Sequence, residues 1–455
     1  MSDKPLSANI AAGLYTFGCK VNQLETEALA EAFKTAGFRL VPWESKEMAI
    51  LLINTCTVTS KAEQKARRFI RWALKNCPET AVVVTGCYAQ MDPDGIAGLD
   101  PSAERLFVLA GDRKSALLDL PGFLARETGE ALPKVLSRWF AESSADPIRE
   151  AFRFAPGDFS FHSRGFLKIQ DGCDNRCAYC RVPFARGSSV SLEADRVLAS
   201  LRELEARGCG EAVLTGVHIG QYRDGPLDFA GLLGYLLAET REIRLRLSSL
   251  DPESFTSALP LSNPRIRPHF HLSVQSGSER VLERMGRRYT PDRVREAVRF
   301  ARSVKADPFL ACDIITGFPG ETSNDFEATY QLCADLDFAW IHGFPYSPRP
   351  GTAAYSFNDR ASEREAGLRA DRLIALGTER RRRYVRRWIG RGVEAVAESA
   401  PALPASQGAA ISENYLKLLF IQSGAVPPKP GSLVRCRLLD GTPSDAHFDA
   451  VAEPE

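Results

Sequence analysis

Residues 172–180 read GCDNRCAYC and set three cysteines, Cys173, Cys177 and Cys180, in one short loop. The spacing CxxxCxxC offers three thiolates and stops there. A tetrahedral structural zinc site wants four protein ligands, usually as two separated pairs. A cubane iron–sulfur cluster is also normally held by four cysteines. Three ligands on four irons leave one iron open to a small molecule, which points to chemistry rather than scaffolding. The bland alternatives are a lone zinc knuckle or chance clustering. They lack support nearby, because the nearest other cysteines, Cys87 and Cys209, are remote in sequence.

Working outward, the loop follows an apolar run at 165–170, the first of six strand-like runs. The others fall at 211–215, 243–249, 269–275, 309–315 and 338–344, with helical stretches such as 192–207 and 291–305 between most of them. Six βα units suit a partial (β/α) barrel better than the complete eight-stranded form. The cysteine loop then belongs at the C-terminal mouth, where such folds place their chemistry. Tyr179, wedged between two of the cysteines, is suited to pack on a planar group. Thr215, Gly216, Ser249 and Gln275 stand at other strand ends, where small or polar residues make room for a nucleoside ligand. Any strand-to-helix turn asks for similar residues, so these are weaker candidates. His218 and His342 also fall at strand ends and read as ordinary hydrogen-bonded histidines.

A separate alternation occupies the N-terminal part. Runs at 13–17, 49–54, 81–85 and 105–110 read as buried parallel strands, with helical stretches at 23–36 and 61–75 between them. A small doubly wound α/β domain follows. Cys19, Cys56 and Cys87 each lie just beyond one of these strands, in YTFGC, LINTC and VVVTGC. Parallel strands all point one way, so the three thiols gather at one edge of the sheet, where open α/β sheets bind ligands. Gly18 and Gly86 would let the backbone approach a cluster closely. Singly each cysteine reads as an inert thiol; together they make a second three-ligand site. Cys77, Cys209, Cys312, Cys333 and Cys436 show no such grouping and read as small core or surface residues.

Residues 121–162 mix proline, glycine and charge and read as a linker. A charged helix is expected over 362–388, and short β-like runs at 415–421 and 432–438 suggest a terminal β-barrel. Arg380, Arg381, Arg382, Arg383, Arg386, Arg387 and Arg391 crowd the end of that helix, against nearby Glu379 and Glu394. Such density suits a phosphate-rich partner.

The bulk numbers exclude other classes. A chain of 455 residues holds two to four domains. Its net charge of +1 gives no global pull on nucleic acid or membrane, so any such binding is local. No signal-peptide core or membrane-length apolar run is present, so a cytoplasmic protein without a membrane partner is expected. In a reducing compartment eleven cysteines argue for metal ligation or buried thiols over disulfides.

At these residues the chain resembles the radical S-adenosylmethionine methylthiotransferases over nearly its whole length. The resemblance implies a flavodoxin-like N-terminal domain (10–120), a linker (121–162), a partial (β/α)6 radical core (163–389) and a small TRAM-like β-barrel that binds RNA (390–453). It implies that Cys19, Cys56 and Cys87 hold an auxiliary 4Fe-4S cluster. Cys173, Cys177 and Cys180 would hold the 4Fe-4S cluster that cleaves S-adenosylmethionine, with no catalytic side chain beyond these ligands. The stretches LKIQDGC, LTGVHIGQY and HGFPYSPRPGT are most similar to enzymes acting on threonylcarbamoyladenosine next to the tRNA anticodon. The branch acting on isopentenyladenosine reads closer to GQNVN where this chain has Gly216-Val217-His218-Ile219, and the branch acting on a ribosomal-protein aspartate differs there too. Arg181 departs from the apolar residue usual after the third cysteine and puts a cation near the loop.

The implied reaction replaces the C–H at carbon 2 of the adenine with C–S–CH₃, a hydrogen that no side-chain base removes, so cofactor radical chemistry is expected. Two molecules of S-adenosylmethionine per turnover, a one-electron donor such as flavodoxin or ferredoxin, a sulfur donor and the tRNA anticodon stem-loop complete the expectation. The rival class is a non-catalytic iron–sulfur protein that binds RNA.

Overall fold

The computed structural model describes residues 10–143, 150–157, 159–400, 402–404, 407–421, 428–441, 443 and 447–455. Residues 1–9, part of the stretch read for a targeting signal, lie outside them. The chain folds as two units. The first holds residues up to 161 with 171–175 and 180–190; the second holds 162–170, 176–179 and 191–455.

The first unit is built on a parallel sheet of β1 (Ala11–Thr16), β2 (Arg39–Leu40), β3 (Met48–Thr55), β4 (Ala81–Gly86) and β5 (Leu106–Val108). The order is β2-β1-β3-β4-β5, the flavodoxin-like arrangement. MAILLINT and AVVVTG are apolar without alternation because both faces of the sheet are covered. Leu51, Ile53, Val82 and Val84 pack with Ala66 and Ile70 of the helix Ser60–Asn76 and with Tyr88. The edge strand β2 escaped the sequence reading because two residues carry no pattern. The expected linker also differs: Leu120–Arg126 and Leu132–Glu142 are helices. Val135, Leu136 and Trp139 of the latter are buried, at helical spacing that the surrounding proline and glycine masked.

The second unit carries the six expected strands. β6 (Gly165–Lys168), β7 (Glu211–Thr215) and β8 (Arg244–Leu247) form one parallel half, and β9 (His269–Gln275), β10 (Phe309–Thr316) and β11 (Trp340–Pro345) the other. The parallel bridge Leu250↔Leu272 joins the halves. Ser362 caps the helix Glu363–Trp388, which lies on β11. The contact is close enough that a Cβ on Gly377 would stand 2.9 Å from the Ile341 nitrogen.

A closed barrel follows, of β12 (Gly392–Glu398), β13 (Gln407–Ser412), β14 (Lys417–Ile421), β15 (Leu433–Leu439) and β16 (Ala450–Pro454), ordered β12-β13-β14-β16-β15. This is the TRAM-like element, of which the sequence showed two strands clearly. Its core is shared with the six-stranded fold: Phe309, Ala311 and Tyr384 pack against Val393, Leu416, Leu418 and Leu438. Buried charge also ties the two. Glu211, on β7, accepts from Arg246 Nε at 2.6 Å and from Arg267 Nε at 2.7 Å. Arg246 reaches on to the Ser412 and Glu413 carbonyls, and Arg267 to Glu394. Burial would raise the Glu211 carboxyl, but Arg246 and Arg267 hold it down at about 2.

Candidate active site

β1, β3 and β4 are neighbours in the sheet, so their C-terminal ends share one edge. Cys56 follows β3 directly, Cys87 follows β4, and Cys19 caps the sixteen-residue helix Lys20–Thr35. Hydrogen bonds stitch these loops together. Asn22 donates to the Phe17 carbonyl at 2.8 Å and to the Thr55 carbonyl at 3.1 Å, while its own Oδ1 lies 3.9 Å from Cys19 Sγ. Thr55 Oγ1 donates to the Thr85 carbonyl and accepts from Ala89 N, which fixes the Cys87 turn beside the Cys56 turn.

Two glycines permit the close approach. Gly18 has φ +109°, and a Cβ there would stand 2.7 Å from Cys56 Cβ. Gly86 has φ +98°, and its Cβ would run into Thr55. Both positions exclude ordinary side chains. Burial pushes the Cys56 thiol up to about 12, eased by the Val58 N–H and worsened by the neighbouring Cys19 and Cys87. The three sulfurs therefore feel one another. Among the described residues, no three Cys, His, Asp or Glu side chains converge on a position for a single metal ion. A cubane asks for something else, one thiolate at each of three irons. Three thiols at one sheet edge with a glycine cradle have the donor chemistry that a cluster asks for.

The second unit presents another set of strand ends. Ala178, in the middle of the CxxxCxxC loop, donates its N–H to the Met285 carbonyl and accepts from Ala354 N, each at 2.8 Å. It packs with Val281, Met285, Phe318 and Ala354. Burial raises the Cys177 thiol while the Arg287 guanidinium lowers it. A polar chain leads away from this point. Arg287 donates to the Tyr179 hydroxyl at 2.8 Å and to both Asp251 oxygens, and Asp251 Oδ2 lies 2.8 Å from His218 Nε2. Gln170 Oε1 accepts from the His218 backbone N–H. Against its burial, His218 and Arg287 hold the Asp251 carboxyl below the usual range. His218 Nδ1 is buried and meets no partner among the described residues.

Comparison with known proteins bears on both sets of strand ends. Residues 167–333 match the Radical SAM superfamily, and residues 12–108 match the uncharacterized protein family UPF0004. The threonylcarbamoyladenosine tRNA methylthiotransferase MtaB of Treponema pallidum is 41% identical over 93% of this chain and 97% of its own length. The chain belongs to the radical S-adenosylmethionine methylthiotransferases. The like-named protein of Thermotoga maritima is 34% identical over 84% of this chain and 85% of its own. The tRNA-2-methylthio-N(6)-dimethylallyladenosine synthase of Paracoccus denitrificans is 30% identical over 98% of each. Membership implies a 4Fe-4S cluster and S-adenosylmethionine.

For a methylthiotransferase, the strand-end candidates divide. Tyr179 is held by Arg287, and Gly216 lies where a Cβ would stand 2.8 Å from the Gln170 carbonyl. Gln275 ends β9 at φ +65°, a strained position for a residue with a side chain. Ser249 is exposed, whereas Thr215 is buried in the sheet. Sequence reasoning missed Asp251 and Arg287 and set His218 aside. Their only sequence signal is placement, Asp251 shortly after β8 and Arg287 in the turn after Met285, and ion pairs across strands carry no spacing rule. Arg181, noted as a cation near the loop, pairs with Glu63 at 3.3 Å.

The arginine run also divides. Arg381 pairs with Asp449 at 2.5 Å and lies 3.8 Å over the Trp340 ring. Arg387 pairs with Asp307, while Arg380 and Arg383 pair with Asp337. These acids come from other elements and were invisible in the local count against Glu379 and Glu394. Arg382, Arg386 and Arg391 are exposed. They keep the face suited to phosphate. No helix among the described residues is long and apolar enough to cross a membrane.

Proposed function

We propose that this enzyme methylthiolates carbon 2 of threonylcarbamoyladenosine beside the anticodon of tRNA. The observation that carries the reading is the pairing of two cysteine triads in one chain, Cys19/Cys56/Cys87 and Cys173/Cys177/Cys180. The names of relatives covering almost the whole chain supply the substrate. Bound 4Fe-4S clusters would supply, at the second triad, the electron that generates a radical from S-adenosylmethionine and, at the first, the sulfur to be transferred.

The chain's own residues do the rest. Cys173, Cys177 and Cys180 would hold one cluster. Arg287 stabilises the Cys177 thiolate and, with Asp251, fixes Tyr179 beside it. Tyr179, Thr215, Gly216, Ser249 and Gln275 form the candidate lining for S-adenosylmethionine, used twice per turnover. Asn22 and Thr55 hold the other three cysteine turns at fixed separation, so that the sulfur is presented in one place. The Arg382 and Arg386 face and the TRAM-like barrel take the phosphates of the anticodon stem-loop. A flavodoxin or ferredoxin would deliver the electron and a separate donor the sulfur, in the cytoplasm.

Mass spectrometry of tRNA nucleosides from a deletion strain tests the substrate. Methylthio-threonylcarbamoyladenosine should vanish while methylthio-isopentenyladenosine persists. The reverse pattern, or loss of methylthio-aspartate from a ribosomal protein, would move the reading to a sister branch. Anaerobic reduction with S-adenosylmethionine should form 5′-deoxyadenosine; none would leave a non-catalytic iron–sulfur protein.

A further inference from the structure

Arg186 takes no part in the assignments above, yet it is the cation most tightly built into the edge that carries Cys19, Cys56 and Cys87. Its side chain is 5% exposed. Nη2 donates to Asn22 Oδ1 at 2.6 Å, and this is the oxygen that lies 3.9 Å from Cys19 Sγ. Nη1 donates to Asp171 at 3.0 Å and to Glu25 at 3.1 Å. The short helix Val182–Arg186 that carries it packs against the short helix Cys87–Met91. Asp171 and Glu25 grip Nη1, and Nη2 reaches the thiol edge through Asn22.

Glu25 also accepts from Lys114 Nζ at 2.5 Å. Two cations and two carboxylates cancel in sum, so the cluster of charges adds a direction rather than a net charge. Its positive end is the guanidinium on Asn22, whose oxygen lies beside Cys19. Arginine suits this place because a planar fork serves three acceptors at once, which an ammonium does with poorer geometry.

We propose that Arg186 is the fixed counter-charge of the Cys19/Cys56/Cys87 triad, a positioning residue that offsets the negative charge of the three thiolates when they hold a cluster. The inference rests on the reading of that triad as a cluster site. Asn22, Glu25 and Asp171 hold the guanidinium at the edge that carries the sulfurs. Removing it disfavours the extra electron on the cluster and loosens the hold of the thiolates on iron. Arg181 does not substitute, because its charge is spent on Glu63.

The test uses the full chain with Cys173, Cys177 and Cys180 replaced by alanine, so that one cluster site remains. Anaerobic reconstitution is followed by iron analysis, electron paramagnetic resonance and redox titration. R186Q should lower the one-electron reduction equilibrium about tenfold, a midpoint about 59 mV more negative. It should also speed iron loss to a chelator. R186K should shift the midpoint less. Because R186Q takes the guanidinium from the buried Asp171, the double variant R186Q/D171N removes both charges and leaves the sum unchanged. It should still lower the midpoint, by less than R186Q. A parent that takes up no iron would sink the cluster reading itself. A parent that loads, with R186Q/D171N at an unchanged midpoint and unchanged iron retention, would overturn the counter-charge alone.

Discussion

The two cysteine triads assemble three thiols by opposite routes. Cys173, Cys177 and Cys180 share one loop, so covalent connection alone keeps them near one another. Cys19, Cys56 and Cys87 are drawn from three strand ends and need a sheet, two positive-φ glycines and the Asn22 and Thr55 hydrogen bonds to meet. The first kind of site survives in any fold that tolerates the loop. The second exists only when its domain is folded in register. The contrast also separates their proposed tasks: a contiguous loop can close over a small cofactor, while a rigid sheet edge can hold a sulfur in one place for repeated use.

The largest expected effects break this comparison cleanly. C177A should abolish 5′-deoxyadenosine formation and product together. C56A should abolish methylthiolated product but leave 5′-deoxyadenosine formation in place. Each should lower iron from about eight to about four per chain, one cubane's worth. If C56A also stopped 5′-deoxyadenosine formation while keeping half its iron, the division of labour would be wrong. Asn22→Ala should act on the stitched triad alone, lowering iron retention there without touching the loop.

Next in size are the buried charges of the second unit. Glu211→Gln leaves Arg246 and Arg267 without their shared carboxylate and should destabilise the chain by about 3–5 kcal/mol in denaturant unfolding. The pH dependence follows from the lowered Glu211 carboxyl. A folded value of about 2 against an ordinary 4.5 means that the stabilisation is complete above about pH 4.5. It fades as pH falls toward 2, and amounts to roughly 3 kcal/mol in all. E211Q should flatten the acid limb of the stability profile. Asp251→Asn is milder. It weakens the hold on Arg287 and Tyr179, and should raise the KM for S-adenosylmethionine about tenfold, the worth of one charge-assisted hydrogen bond, with a smaller change in kcat.

The same contrast explains what could be read from the amino-acid order. A loop motif is written in spacing, so 172–180 was legible at once. The dispersed triad became legible through a second rule, that parallel strands end on one edge, applied to YTFGC, LINTC and VVVTGC. The six barrel strands were placed within a few residues because each is a short, apolar-rich run set between helical stretches. What stayed hidden was long-range charge pairing. Arg186 with Glu25 and Asp171, Arg287 with Asp251, and Glu211 with its arginines join residues far apart in the chain, and no local period encodes them. The helices at 120–142 stayed hidden for another reason: prolines at the first turn of each begin a helix as readily as they end one.

The arginine-rich helix shows the cost of counting charge locally, and it yields the smallest predicted effect. Seven arginines against two acids looked like one phosphate-binding patch. In the fold, Asp307, Asp337 and Asp449 neutralise Arg380, Arg381, Arg383 and Arg387. Exposed Arg382 and Arg386 stand four residues apart, on one helix face. If that face meets RNA, Arg382→Ala and Arg386→Ala should each weaken tRNA binding severalfold and reduce the salt slope by about 1. Thermal stability should hardly move. Arg381→Ala should do the opposite, because it breaks the Asp449 pair and uncovers Trp340 between the helix and the barrel. Its stability should fall while the salt slope stays near that of the parent. Filter binding across a salt series, run beside thermal melts of the same three variants, separates the two classes. An unchanged slope in the Arg382→Ala and Arg386→Ala variants would move the RNA-binding face away from this helix and onto the barrel alone.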